Sequence, residues 1–323
     1  MYLAPEGDEL EVASAAGAFL GDAMSIDRLH KSDSADMGPD LRQALGTMGW
    51  FALAVPQGDG GSGLTPVEHA LFFREAGKHC GPVDLLAQCL AATATTNAAV
   101  RAAIIAGETG VALMVRDQDS TRIFGAADAG WGLLVSPGTA CLYPMADLET
   151  VARPALDPAN SMRVATALPA PAETLSGHHI WQLGQLGTSA MLVGLAETAL
   201  DLIVDYAKVR ETFGRKIGAY QAVRHTCADM ALRVEAARAQ LWYAATAMKE
   251  GRSDTATHLD AAKHLANHAA LANSDSNIQL HGGIGVTDEH HAHLLLKHAM
   301  VLSRMFGSRR ILLNQLLHAR LDD

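Results

Sequence analysis

The chain has 323 residues, 49% of them hydrophobic, enough to bury a large core and to divide into two or three domains. Aromatics make up only 5% while Ala and Leu recur throughout, which favours packed helices over an aromatic-rich β-sandwich. A formal charge of -10 argues against a nucleic-acid partner, because phosphate neutralisation needs a basic face, but it leaves room for an anionic cofactor held by a few local arginines.

In chain order, the pattern from Glu9 to about Leu29 fits one amphipathic helix. The acidic start (Glu6, Asp8, Glu9, Glu11) is unlike a secretory leader. A second helix is expected from Pro39 to Met48, stopped by Gly49. Trp50 to Pro56 then runs into Gly58, Gly60, Gly61 and Gly63, a glycine density that predicts a loop. Thr65 as N-cap, Pro66 in the first turn and Glu68 three residues on spell a capping box for a helix from Pro66 to Lys78. Further helix is expected between Leu85 and Ala106. From Thr109 to about His179, short apolar runs (Val111–Val115, Gly132–Val135, Met162–Ala165) alternate with Gly, Pro, Asp and Ser, the signals of a small sheet.

Beyond Trp181 the chain turns helical again, with Leu192, Leu195, Ala196, Ala199, Leu202, Ile203 and Tyr206 on one stripe. Long helices are expected over Tyr220 to Lys249, Asp254 to Gln279 and Glu289 to Met305, which with the first make an antiparallel four-helix bundle. The expected class is mainly α, with an N-terminal helical domain over 1–108, a reduced β domain over 109–180 and the bundle over 181–323. No uninterrupted apolar run reaches about 18 residues, so no membrane span is expected. Cys80, Cys89, Cys141 and Cys227 form no CxxC pair and read as free thiols of a cytoplasmic protein.

Two stretches carry chemistry. In Val209 to Gln221, a helix ends near Arg210 and a Gly-marked turn follows. Arg210 suits a pyrophosphate, Phe213 offers an aromatic face, and Gln221 offers a donor and an acceptor at the next helix start. In Gln279 to Gly285, Gly282 and Gly283 allow backbone to approach a ligand, and Gln279 can hydrogen-bond an adenine or ribose. The stretch follows a helix, so it is no Rossmann fingerprint. Each alone is no more than an ordinary helix–helix turn or helix C-cap.

Together, in this order and separation, the two stretches resemble the acyl-CoA dehydrogenase family, which carries R-x-x-F-G-x-x-I/L-x-x-x-Q and then Q-x-x-G-G-x-G. The run from Gly49-Trp50 through Pro56 to Gly60-Gly61-Ser62-Gly63-Leu64 is similar to a further family element. The resemblance implies a flavin dehydrogenase: a Glu removes the Cα proton of an acyl-CoA, and Cβ hydride passes to FAD. Electron-transfer flavoprotein is the implied electron acceptor. It also implies that Arg210, Thr212, Phe213, Gln221, Gln279, Gly282 and Gly283 embrace the adenosine half of a neighbouring chain's FAD.

The sequence departs from that family where the base should stand. Counting from Gly285, the family's Y-E-G-T falls on Met305-Phe306-Gly307-Ser308, and Phe306 cannot accept a proton. The Gln just beyond, which holds FAD in the family, falls on Arg310. The base position used by other relatives falls on Gly184, again without a carboxylate. The strands that cover the flavin ring find only poor counterparts in Val115-Arg116-Asp117 and Trp131. No catalytic residue is therefore assigned. The pattern is similar to the short subunits of heteromeric acyl-CoA dehydrogenases acting on steroid side chains, where a full-length partner supplies the base in a heterotetramer.

Two alternatives stay open. One is a self-sufficient homodimer with a displaced base from Glu173, Asp288 or Glu289, Glu197 and Asp201 being read as structural. The other is a non-enzymatic scaffold. His290, His291 and His293, with His264 and His268 at i, i+4, invite a metal, but no H-E-x-x-H pattern or nearby Cys accompanies them, and packed or solvated rings are expected.

Overall fold

The computed structural model describes residues 5–31 and 36–319. Five helices open the chain: α1 (Asp8–Ala23), α2 (Pro39–Thr47), α3 (Pro66–Lys78), α4 (Val83–Ala94) and α5 (Ala98–Ile105). The expected single helix to Leu29 breaks at Met24, and a 3-10 turn, Ile26–His30, follows with Ser25 as its cap. Arg28 fixes the break by donating to the carbonyls of Met24 (2.6 Å), His79 (2.7 Å) and Cys80 (2.5 Å). The capping box before α3 forms as the sequence predicts, Thr65 and Glu68 bonding each other's backbone. The glycine-rich loop folds back on its own start, Ser62 N and Leu64 N donating to Ala52 O (2.9 Å) and Leu53 O (2.8 Å). Trp50, at its head, stacks on Phe72 with centroids 4.9 Å apart.

Seven strands follow: β1 (Gly110–Arg116), β2 (Thr121–Phe124), β3 (Ala129–Val135), β4 (Thr139–Pro144), β5 (Val151–Arg153), β6 (Met162–Ala165) and β7 (Glu173–Ser176). They make one sheet in the order β5-β6-β2-β1-β3-β4-β7, antiparallel except for the β1–β3 pair. Alternation along β1 divides the sheet's faces. Val111 and Leu113 join the main core, while Ala112 and Met114 join a smaller cluster with Ile123 and Tyr143.

The C-terminal part holds α6 (His178–Val209), a two-residue ribbon of β8 (Glu211–Thr212) and β9 (Arg215–Lys216), α7 (Gln221–Lys249), α8 (Thr255–His281), α9 (Ala292–Leu302) and α10 (Arg309–His318). The fourth long helix expected from Glu289 to Met305 is the shorter α9, and α10 follows it beyond a turn. Glycines let α3 and α6 touch: a Cβ on Gly194 would lie 2.0 Å from Arg74 O, and one on Gly77 would lie 2.0 Å from Met191 O. At that crossing the buried Glu197 takes Arg74 Nη2 at 2.9 Å and Arg238 Nη1 at 3.4 Å, tying α3, α6 and α7. Among the described residues α6 alone has the length and composition of a membrane span, and 72% of its apolar window is buried inside the protein, as in a core helix.

Candidate functional site

Antiparallel packing brings the end of α6, the start of α7 and the end of α8 to one end of the bundle. Tyr206, one turn before Arg210, lies with its ring 4.4 Å from that of His281, which directly precedes Gly282, so both sequence motifs meet there. Arg210 caps α6, its N–H donating to Tyr206 O and its carbonyl accepting from Ile217 N, both at 2.9 Å. The exposed Arg210 guanidinium has no ion-pair or hydrogen-bond partner among the described residues, whereas Lys208 and Lys216 are paired with Asp205 and Glu211 at 2.8 Å.

Phe213 and Gly214 sit at φ 48 and 78, the positive values that a two-residue I′ hairpin loop demands of both central positions. Phe213 is 98% exposed, an aromatic ring held out at a hairpin tip in a backbone region that costs a non-glycine residue about 1–3 kcal/mol. Thr212 is half-buried, and its carbonyl accepts from Tyr220 Oη at 2.9 Å. Arg215 covers the Tyr220 ring at 4.1 Å, which stiffens the base of the hairpin. Gln221 opens α7 and Gln279 lies in the last turn of α8, both exposed. Gly282 has φ 67, and neither it nor Gly283 has an atom within 4 Å of a built Cβ, so the loop backbone is open to approach. This donor set suits an anionic ligand with a flat ring.

The second region is a cleft of about 620 Å³ between β1, the β3–β4 hairpin and the turn Arg304–Ser308. Phe306 is 6% exposed, with φ 50, and its ring packs on Trp181 at 5.4 Å. A Cβ on Gly184 would stand 2.2 Å from Phe306 Cε1. The two base positions inferred from the sequence are therefore one place in space, and both sides of it lack a carboxylate. Among the described residues no Asp or Glu lines the cleft; Val115 and Arg116 do line it, together with the Phe306 turn.

The displaced-base candidates lie elsewhere. Glu173, on β7, accepts from Thr95 Oγ1 (2.6 Å), Thr96 N and Thr96 Oγ1 (both 3.0 Å). Partial burial pushes its carboxyl up, but those bonds outweigh it and hold it below the usual range. Asp288 and Glu289 are exposed at the bundle end. Among the described residues no group of three or more His, Cys, Asp or Glu side chains is arranged to hold a metal ion.

Sequence reasoning missed the support beneath the Phe306 turn. Lys263, fully buried on α8, donates to Asn267 Oδ1 (2.7 Å) and to Leu302 O (3.2 Å), one of the last carbonyls of α9. Burial pushes its ammonium down to about 7. A buried lysine in a run of alanines gave no signal beyond its position on the inner stripe. Also unforeseen is a cavity of about 1630 Å³ between α8 and α10, where Arg304, Arg309 and Arg310 face His264 and Asn267. The adjacent arginines after Ser308 were its only trace.

Comparison with known proteins matches residues 7–104 to the acyl-CoA dehydrogenase N-terminal domain and residues 181–321 to the acyl-CoA dehydrogenase C-terminal domain, flanking the sheet. Acyl-CoA dehydrogenase IpdE2 of Mycobacterium tuberculosis is 31% identical over 277 residues, covering 83% of this chain and 82% of the relative. FadE34 of the same organism is 33% identical over 294 residues, covering 85% of this chain, which spans only 41% of that relative's length. The fold is similar to that of the ChsE4-ChsE5 complex from M. tuberculosis (TM-score 0.81, 18% identity, 99% and 100% covered). It is also similar to the Tcur3481-Tcur3483 steroid ACAD (TM-score 0.80, 24% identity, 96% of each chain). On the domain matches and the near full-length likeness to IpdE2, the chain is a member of the acyl-CoA dehydrogenase family.

Proposed function

We propose that this chain is the base-lacking subunit of a two-chain acyl-CoA dehydrogenase, and that its bundle end completes the FAD site of a carboxylate-bearing partner. One observation carries the reading: the Phe306 ring fills the place over Gly184 where a proton acceptor would have to stand. Bound FAD would supply an acceptor for the Cβ hydride of an acyl-CoA thioester, the Cα proton being removed by a carboxylate of the partner. This chain's residues bind and orient. Arg210 supplies a charge-assisted bond to the pyrophosphate, Phe213 a face for the adenine, and Thr212, Gln221 and Gln279 polar contacts to the adenosine half. Gly282 and Gly283 admit that half close to backbone.

The full-length partner supplies the carboxylate and the pocket around the flavin ring, in a heterotetramer that passes electrons to electron-transfer flavoprotein. Steroid-CoA is the preferred substrate class, resting on likeness to a fold named as a steroid ACAD. A self-sufficient homodimer is disfavoured because no described residue lining the cleft is a carboxylate. A pure scaffold has no use for a 98% exposed phenylalanine in a strained hairpin tip.

The test is co-expression with a full-length, carboxylate-bearing family member from the same genome. Flavin and dehydrogenation are expected in the mixed complex. Arg210→Ala in this chain should leave the complex assembled and lower its flavin content; unchanged flavin would sink the assignment.

A further inference from the structure

Beside the Gly282–Gly283 loop, five histidine rings from separate parts of the chain adjoin one another. His281 and His290 lie 4.3 Å apart by centroid, His290 and His291 6.3 Å, His30 and His291 5.0 Å, and His30 and His293 6.4 Å. His30 belongs to the N-terminal 3-10 turn, His281 ends α8, and His290, His291 and His293 frame the start of α9. The hydrogen bonds require a proton-free ring nitrogen at two points of the cluster. His291 Nε2 faces Asp27 Oδ1 at 3.4 Å, and its Nδ1 lies 2.9 Å from His30 Nε2. Of those two facing nitrogens, one must lack a proton. His290 Nδ1 accepts from Ala292 N at 3.1 Å, so a proton there would oppose an N–H.

We propose that this cluster is a proton-operated latch. Neutral rings tie the 25–30 segment and the Gly282–Val286 loop to the start of α9, and protonation releases both. When both facing nitrogens of the His30–His291 pair carry protons, two N–H groups stand face to face, and a proton on His290 Nδ1 breaks its bond to Ala292 at the positive end of α9's dipole. The other groups facing the cluster are Tyr206 from α6, with its ring on His281, and Asp288 and Lys297, which act on His293 with opposite sign. Burial and the neighbouring rings hold His290 down to about 4, and burial also lowers His281, His291 and His293. The device goes beyond the flavin reading and does not depend on it.

The test is hydrogen exchange on the intact, isolated chain at about pH 7.5 and about pH 5, corrected for intrinsic rates. Protection of residues 25–31 and 282–293 should fall about tenfold or more at the lower pH while α3 stays protected. In His30→Gln/His291→Gln, or in His290→Asn, whose amide oxygen can still accept from Ala292 N, that pH dependence should shrink. Equal protection at both pH values, or a dependence unchanged in both variants, would overturn the latch. Neither outcome bears on whether the chain binds flavin.

Discussion

Phe213 and Phe306 share a left-handed backbone, φ 48 and φ 50, yet they do opposite things. The first stands 98% exposed at a hairpin tip with room around it; the second is 6% exposed and closes a cleft against Gly184 and Trp181. Strain held in the exposed aromatic is not repaid by burial within this chain, and the proposed partner and its ligand would supply that cover. The same strain at Phe306 is repaid within the chain by burial. Under the proposed function one region is finished by another molecule, while the other is closed by residues of this chain.

Four changes would break or sharpen that contrast. Phe306→Ala should cost the isolated chain about 3 kcal/mol, read as a lower denaturant midpoint, because it empties a packed site. Acid should cost up to about 3 kcal/mol on the same closed side through His69, whose Nε2 lies 3.2 Å from Leu183 O beside Gly184. Burial lowers that imidazole from 6.5 to about 4, with the Leu183 bond opposing. Folded chain then binds fewer protons than unfolded chain in that window, so stability is complete above 6.5 and is lost as pH falls toward 4, which thermal melts across the window would reveal.

Gly184→Ala should cost about 1–3 kcal/mol by pressing a methyl into the Phe306 ring, and the loss should largely disappear when combined with Phe306→Ala. Phe213→Gly should leave stability unchanged or raise it by about 1 kcal/mol, since glycine accepts that backbone freely, while lowering flavin retention in a mixed complex. A Phe213→Gly variant as unstable as Phe306→Ala would collapse the comparison.

Much of this was legible in the sequence. The capping box at Thr65–Glu68 and the stripe from Leu192 to Tyr206 follow local rules, and the structure carries them at those positions. The sheet was less visible, because strands such as Val151–Arg153 are short and exposed and show no alternation. The break at Met24 depends on Arg28 reaching carbonyls around residue 80, which no local pattern encodes. The same holds for the cleft. Phe306 and Gly184 were each seen to lack a carboxylate, but only folding shows that they occupy one place.

The central claim is that this chain cannot complete a flavin site alone. The direct measurement is flavin per chain, from absorbance in the flavin band after expressing this chain without a partner. The account predicts a ratio near zero, rising when the carboxylate-bearing partner is present. A ratio near one for the isolated chain would mean that the cleft under Phe306 closes a pocket of its own, and would contradict it.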